Sequence, residues 1–372
     1  MTKAPREILA AVCHEFAQPL RLETVRLAAP QEEEVQVDLE VCAICHSDLM
    51  AIDGHWNVSL PGVFGHEAIG RVSAVGEAVS GLAVGDRVVL SLIRYCGRCY
   101  FCQSGDLSFC EAEFNLARNS PLSLADGTPL TQGTKVGAFA EMAVVHQSQC
   151  IKVDAEISGE VACTLSCGVM TGIGAVTRTS PVAPATPVVV IGAGGVGINC
   201  IQGAALAGAY PVIALDVREE KLDKARQFGA SHCLRADLDQ LQLVAEVKRL
   251  TQGRGADIAF VAVGASAAIE GAVDLVRNGG KVVVAGIPAH SEVVKFASRT
   301  FGGRGVSIVG SKMGSARPHL DVPRLIDLYR SGKLDLDGLV AQRFALKQIN
   351  EALDAARSGA SLKNLIVLGG AQ

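Results

Sequence analysis

Residues 188–197 read VVVIGAGGVG. Four apolar residues lead straight into Gly192, Gly194 and Gly197, the G-x-G-x-x-G spacing, and a helical segment, INCIQGAALAG, follows. Glycines so placed suit a tight turn out of a buried strand, close approach of a ligand to bare backbone, and close packing of helix on strand. The helix start, at Gly195 and Val196, turns unpaired amides and the positive end of its dipole toward the loop, which favours a pyrophosphate. An ordinary glycine turn is the other reading, and the next apolar run weighs against it. That run, PVIALD, ends at Asp216, nineteen residues beyond Gly197. A carboxylate there can accept hydrogen bonds from ribose hydroxyls and repel an added 2′-phosphate, so NAD is expected over NADP.

On either side of this motif the texture of the chain divides in two. Candidate strands at 188–192, 211–216, 231–234, 257–263, 281–285 and 306–310 alternate with helical stretches. Several are nearly all apolar, as strands covered on both faces must be, which predicts an α/β, doubly wound parallel sheet. The segment PVAPATP, 181–187, is a stiff lead into the first strand. Upstream, Val35, Val37, Leu39 and Val41 alternate with Gln36, Asp38 and Glu40, the period of a half-buried strand. Gly62, Gly65, Gly70, Gly76, Gly81 and Gly85 then punctuate short segments, as in a mainly β unit with tight turns. After about Val309 the sequence returns to mixed helix and strand and is expected to rejoin the first unit.

A chain of 372 residues is long for one core. Its 34 basic and 38 acidic residues are interspersed and leave a formal charge of −4, so no positive face is offered to nucleic acid or a membrane. A small-molecule partner is expected. The start, MTKAPREILAAVCHEF, makes a poor secretory signal, and no other run reads as long and apolar enough to span a bilayer. A cytoplasmic protein is expected, its 12 cysteines serving as metal ligands or buried small hydrophobes rather than disulfides.

Cys96, Cys99, Cys102 and Cys110 form C-x2-C-x2-C-x7-C. One loop with such spacing can wrap a metal, and four thiolates match the tetrahedral preference of zinc in a closed structural site; an iron–sulfur cluster is the alternative. The site would be negatively charged, and Arg94 and Arg98 are near enough in sequence to offset it. CAICHSD at 42–48, GHE at 65–67 and SCGVMTG at 166–172 each add a metal-capable side chain. Taken singly, each is as well read as a satisfied histidine or a buried cysteine.

In chain order, CHSD at 45–48, GHE, the four-cysteine lobe at about 94–111, CGVMTG, GAGGVG and the acidic strand end resemble the zinc-containing alcohol dehydrogenases of the medium-chain dehydrogenase/reductase superfamily, over nearly the whole chain. The resemblance implies a GroES-like catalytic domain from 1–168 and 309–372, with a Rossmann NAD-binding domain, 169–308, inserted. It implies two zinc ions per chain, a catalytic one on Cys45, His66 and Cys167 and a structural one on the lobe. Ser47 resembles the residue that takes the alcohol proton, Asp48 the carboxylate that orients the ligand histidine, and Glu67 the carboxylate beside the metal. Thr171 matches the residue that packs on the nicotinamide. His46 and Lys363 fall where the family contacts the pyrophosphate and Lys221 near the adenosine ribose, with a solvated charge or satisfied histidine as the alternative. A homo-oligomer, dimer or tetramer, is the family expectation.

The chain also departs from that pattern. Met50 stands where liver-type members carry a proton-relay histidine, and His46 and His55 are candidates to replace it. Trp56 and Leu92 align with pocket positions, which implies a primary or secondary apolar alcohol oxidised to an aldehyde or ketone; core packing is the other reading of both. The central and C-terminal segments resemble bacterial dehydrogenases that hold their nicotinamide tightly. Within the enzyme class, the glutathione-dependent formaldehyde dehydrogenases are the alternative. That branch has a glutathione-binding arginine where this chain has Phe114, although a different alignment of the loop brings in Arg118. From another class, a non-catalytic NAD-binding protein of this fold, like a zinc-free quinone reductase, would be expected to lose zinc ligands first, and all three are present.

Overall fold

The computed structural model describes residues 5–369. The chain divides into two units, one of Met1–Cys167, Arg317–Tyr329 and Leu336–Gln372, the other of Gly168–Ala316 and Arg330–Asp335.

The second unit is built on six parallel strands, β1 (Val188–Ile191), β2 (Val212–Asp216), β3 (His232–Arg235), β4 (Ala256–Val261), β5 (Val276–Val284) and β6 (Ser307–Gly310). Their order is 3-2-1-4-5-6. All four residues of β1 are buried, which is why the strand reads as an unbroken apolar run. The order reverses between β1 and β4, and the carboxyl ends at such a switch point form a ligand crevice. Strand β5 starts earlier than expected, at Val276, because residues 277–280 lie between two pairings with β4, Ala256↔Val276 and Ile258↔Lys281.

The boundary of this unit also differs from the expected 308. Gly310 pairs with Val284, so the last strand carries the chain past that point to Ala316. Asp335 returns to it by exchanging hydrogen bonds with the Gln202 side chain at 2.9 and 3.1 Å.

The first unit is mainly β. A five-stranded sheet includes Arg6–Cys13 and Arg21–Leu27; a seven-stranded sheet runs Cys150–Lys152, Arg87–Leu90, Glu67–Val75, Glu34–Ala43, Lys363–Val367, Val340–Ala345, with Met142–His146 paired to Glu34–Ala43. The alternation at 35–41 is there, but Gln36 is buried as well, because Glu34–Ala43 has neighbours along both edges.

Gly159–Thr179 is one helix with π-turns at Leu165–Val169 and Ala175–Thr179. Against the expectation from sequence, it is long and apolar enough to cross a membrane by length and composition, with 21 residues and a mean hydropathy of 1.3. Burial of 89% of its apolar window inside the protein marks it as a core helix.

Candidate metal centre and dinucleotide site

Strand register assembles the metal centre. Glu34–Ala43 pairs antiparallel with Glu67–Val75 so that Ala43 faces Glu67, and with Lys363–Val367 so that Leu365 faces Ala43. Residues just beyond those pairs, Cys45, His66 and Lys363, therefore meet at one end of the sheet. Cys45 sits immediately before the short helix His46–Ile52, and Cys167 comes from the π-turn of the long helix. The ligand atoms of Cys45, His66, Glu67 and Cys167 lie within 4.8 Å of one another, and all four residues are buried.

Asp48, with no exposed surface, ties this cluster together. Its Oδ2 accepts from the Cys45 N–H at 3.0 Å, and its Oδ1 from the Gly65 N–H at 3.0 Å and from His66 Nδ1 at 2.9 Å. Gly65 has φ +88° and a Cβ there would meet a Phe139 ring carbon at 2.6 Å, so glycine is required before the histidine. With its proton on Nδ1, His66 presents the Nε2 lone pair to the two sulfurs. That nitrogen is buried and has no hydrogen-bond partner, as does Oε2 of Glu67. An orphaned buried acceptor costs about 1–3 kcal/mol, which a cation held with two thiolates removes. These donors fit a zinc site with an open position.

The charges fit as well. Glu67 Oε1 accepts from Lys363 Nζ. Burial pushes the Glu67 carboxyl up to about 8, against the opposing pull of Lys363. The Cys45 thiol is held well below its usual range, first by its hydrogen bond with Cys167, with the Lys363 charge adding to this and burial opposing it. With no cation on Nε2, the Asp48 charge and hydrogen bond outweigh burial and raise the His66 pKa; a metal bound at that nitrogen takes the place of its proton. Lys363, expected at the pyrophosphate, is thus engaged with Glu67 in the metal cluster. Nothing local in the sequence joins residues 296 positions apart.

The other residues expected here fall as follows. His46 and His55 are exposed, and Ser47, Met50, Trp56 and Leu92 are half-buried. Trp56 packs against the core, its Nε1 buried and without a hydrogen-bond partner. Phe114 is half-buried, with its ring 4.8 Å from that of His146, and Arg118 is ion-paired with Glu113.

In the lobe, the Sγ atoms of Cys96 and Cys102 are 4.0 Å apart and those of Cys99 and Cys110 are 3.9 Å apart. Tetrahedral zinc with bonds of about 2.3 Å needs sulfurs about 3.8 Å apart. Backbone N–H groups of Cys96, Arg98 and Cys99 point at these sulfurs at 3.3–3.5 Å. Amide donors of this kind, from Glu111 first, bring the Cys99 thiol down to about 6. Arg94 does not serve the lobe as expected. It is buried, and it donates to Gln149, Gln132 and the Lys135 carbonyl.

At the dinucleotide motif Gly192 takes φ +92°, and a Cβ on Gly197 would lie 1.7 Å from the Gly192 oxygen, so the helix Gly195–Leu206 packs tightly under the turn. A Cβ on Gly194 would meet nothing within 4 Å, leaving open space over the backbone where a phosphate would sit. Asp216 accepts from the Ala193 N–H at 2.8 Å and the Arg218 N–H at 3.0 Å, fixing its carboxylate at the end of β2. Lys221 is half-buried in the helix Glu219–Gln227. Thr171 is buried and its hydroxyl donates to the Met313 sulfur at 3.7 Å, a partner that sequence reasoning missed.

The chain is similar to known proteins over nearly its whole length. Residues 31–155 match the alcohol dehydrogenase GroES-like domain, and residues 195–331 match the zinc-binding dehydrogenase family. Alcohol dehydrogenase B of Mycobacterium tuberculosis is 34% identical over 370 residues, covering 96% of this chain and 97% of its own. An NDMA-dependent alcohol dehydrogenase of Amycolatopsis methanolica is 35% identical over 369 residues, covering 96% of this chain and 98% of its own. The crystal structure of benzyl alcohol dehydrogenase from Acinetobacter calcoaceticus superposes with a TM-score of 0.90 at 33% identity, covering 98% of this chain and 100% of its own. The chain belongs to the zinc-containing alcohol dehydrogenases of the medium-chain dehydrogenase/reductase superfamily, and is an oxidoreductase with a GroES-like domain and a Rossmann-type domain.

Proposed function

We propose that the protein oxidises a primary or secondary, apolar alcohol to an aldehyde or ketone with NAD, and carries two zinc ions per chain. The observation that carries this reading is the buried, unpartnered Nε2 of His66, oriented by Asp48 toward the thiols of Cys45 and Cys167. Zinc held by those three residues would supply a Lewis acid that makes a bound alcohol's hydroxyl more acidic, and the nicotinamide would accept the hydride. Asp48 fixes the imidazole tautomer and its direction. Ser47, half-buried two residues beyond Cys45, takes the hydroxyl proton, and exposed His46 is the nearest group in sequence to carry it to solvent. Lys363 compensates the thiolate charge in a buried site and favours the ionised form of Glu67 against the burial that raises its carboxyl.

The glycine turn and helix Gly195–Leu206 bind the pyrophosphate, and Asp216 selects NAD by accepting from the ribose hydroxyls and repelling a 2′-phosphate. Lys221 serves the adenosine end. Trp56 and Leu92 offer apolar surface to the substrate, and the benzyl alcohol dehydrogenase relative supports an apolar alcohol. A cytoplasmic homo-oligomer, dimer or tetramer, is carried over as the expectation from the family resemblance. The experiment is metal analysis of purified protein joined to an activity screen over primary, secondary and aromatic alcohols with NAD, NADP and NDMA. Activity without zinc sinks the proposal. A second reading, that the nicotinamide is retained between turnovers, is favoured by the NDMA-dependent relative. Alcohol oxidation that needs NDMA and ignores added NAD would establish it.

A further inference from the structure

Strand β6 ends at Gly310, and the chain then makes a turn in which three successive residues take left-handed backbone, Met313 (φ 53°), Gly314 (φ 65°) and Ser315 (φ 51°). Two of these carry side chains, so each costs of order 1–3 kcal/mol and persists only where its surroundings impose it. The surroundings do so here. Thr179 Oγ1 shares hydrogen bonds of 2.9 Å with both Ser311 and Ser315, one on each side of the turn. A Cβ on Gly314 would lie 2.6 Å from the Thr171 carbonyl oxygen, and one on Gly174 would lie 2.3 Å from that of Gly314. On the opposite flank, a Cβ on Gly172 would lie 2.5 Å from Asn199 Cβ and the Val196 oxygen, at the start of the dinucleotide helix. The segment Met170–Gly174 is therefore clamped, without space for a methyl group, between that helix and the left-handed turn.

Within this clamp the Thr171 hydroxyl donates to Met313 Sδ at 3.7 Å. The turn lies beyond the carboxyl end of β6, in the half of the sheet away from Asp216. A dinucleotide with its pyrophosphate over the Gly192 turn and its adenosine over β2 must extend its other nucleoside over this half. Resting on the dinucleotide reading above, we propose that Met313 is a positioning residue for the nicotinamide nucleoside, acting through Thr171. The thioether accepts the hydroxyl's hydrogen bond, fixes the side-chain rotamer, and so sets which face of Thr171 the nicotinamide meets.

The test compares binding of NADH and of ADP-ribose, which lacks the nicotinamide, by calorimetry on zinc-loaded protein freed of retained nucleotide. Met313→Leu keeps the bulk and removes the acceptor. It is expected to weaken NADH about three- to tenfold while leaving ADP-ribose within about twofold, the range for one neutral hydrogen bond. Met313→Gln restores an acceptor and most of the NADH affinity. Thr171→Val reproduces the loss, and adding it to Met313→Leu produces no further loss, as a shared interaction requires. Equal weakening of both ligands, or unchanged NADH binding in all variants, overturns the role of Met313 and leaves the dinucleotide site standing. Wild-type protein that binds neither ligand overturns both.

Discussion

Lys363 donates from Nζ to Oε1 of Glu67, and the two side chains are 5% and 0% exposed. Removing one member of a buried ion pair strands the other charge, at a cost of about 3–5 kcal/mol. Lys363→Met should therefore lower the denaturation midpoint strongly, whereas Lys363→Met with Glu67→Gln should recover much of the loss. Denaturant unfolding of the zinc-loaded variants checks this, and strictly additive losses would show that the two groups do not interact.

Asp48 accepts hydrogen bonds from Cys45, Gly65 and His66. An asparagine there offers one acceptor oxygen and turns an N–H2 donor toward at least one of those donors. Asp48→Asn is expected to lower metal affinity at the centre or turnover by about 10- to 100-fold. Zinc content measured against chelator concentration should show one ion per chain becoming labile while the lobe ion stays. Unchanged chelator sensitivity would dispose of the orienting role.

The two sites should fail differently. Cys99→Ser, or metal removal from the lobe, is expected to damage folding or assembly, because a closed structural site contributes directly to folding. Cys45→Ser should abolish turnover in a largely folded chain. Circular dichroism, size-exclusion chromatography and activity, read together, separate these outcomes; iron and sulfide in the lobe would overturn the zinc assignment.

Asp216 holds both the Ala193 and the Arg218 amides. Asp216→Ser should weaken NAD binding and narrow the preference over NADP, since the carboxylate that repels a 2′-phosphate is gone and Arg218 remains nearby. Comparable kcat/KM for NAD and NADP in the wild type would falsify the selective role of Asp216.

Phe114 occupies the position where a glutathione-binding arginine is expected, its ring packed edge-on to His146, and Arg118 is paired with Glu113. Losing each charge-assisted hydrogen bond costs about 1.5–3 kcal/mol, or roughly one to two powers of ten in affinity. S-hydroxymethylglutathione is therefore expected to be a poorer substrate than benzyl alcohol. A kcat/KM comparison decides it, and a wide margin in favour of the glutathione adduct reverses this view of the pocket.

The sequence by itself determined what short spacing encodes. The glycine turn with its apolar strand and Asp216, and the four lobe cysteines, are legible there, since backbone torsion, tetrahedral coordination and burial on two faces constrain residues locally; Cys45, His66 and Cys167, spread over more than a hundred residues, are joined only through the family resemblance. Tertiary structure alone decided where distant charges and surfaces meet. Lys363 reaches Glu67 because two antiparallel registers converge on Ala43. Arg94 leaves the lobe for Gln149 because burial demands acceptors for its guanidinium. Met313 meets Thr171 because Gly174 and Gly314 let the backbones touch. No periodicity records such pairs: each is fixed by the packing of segments that are far apart along the chain.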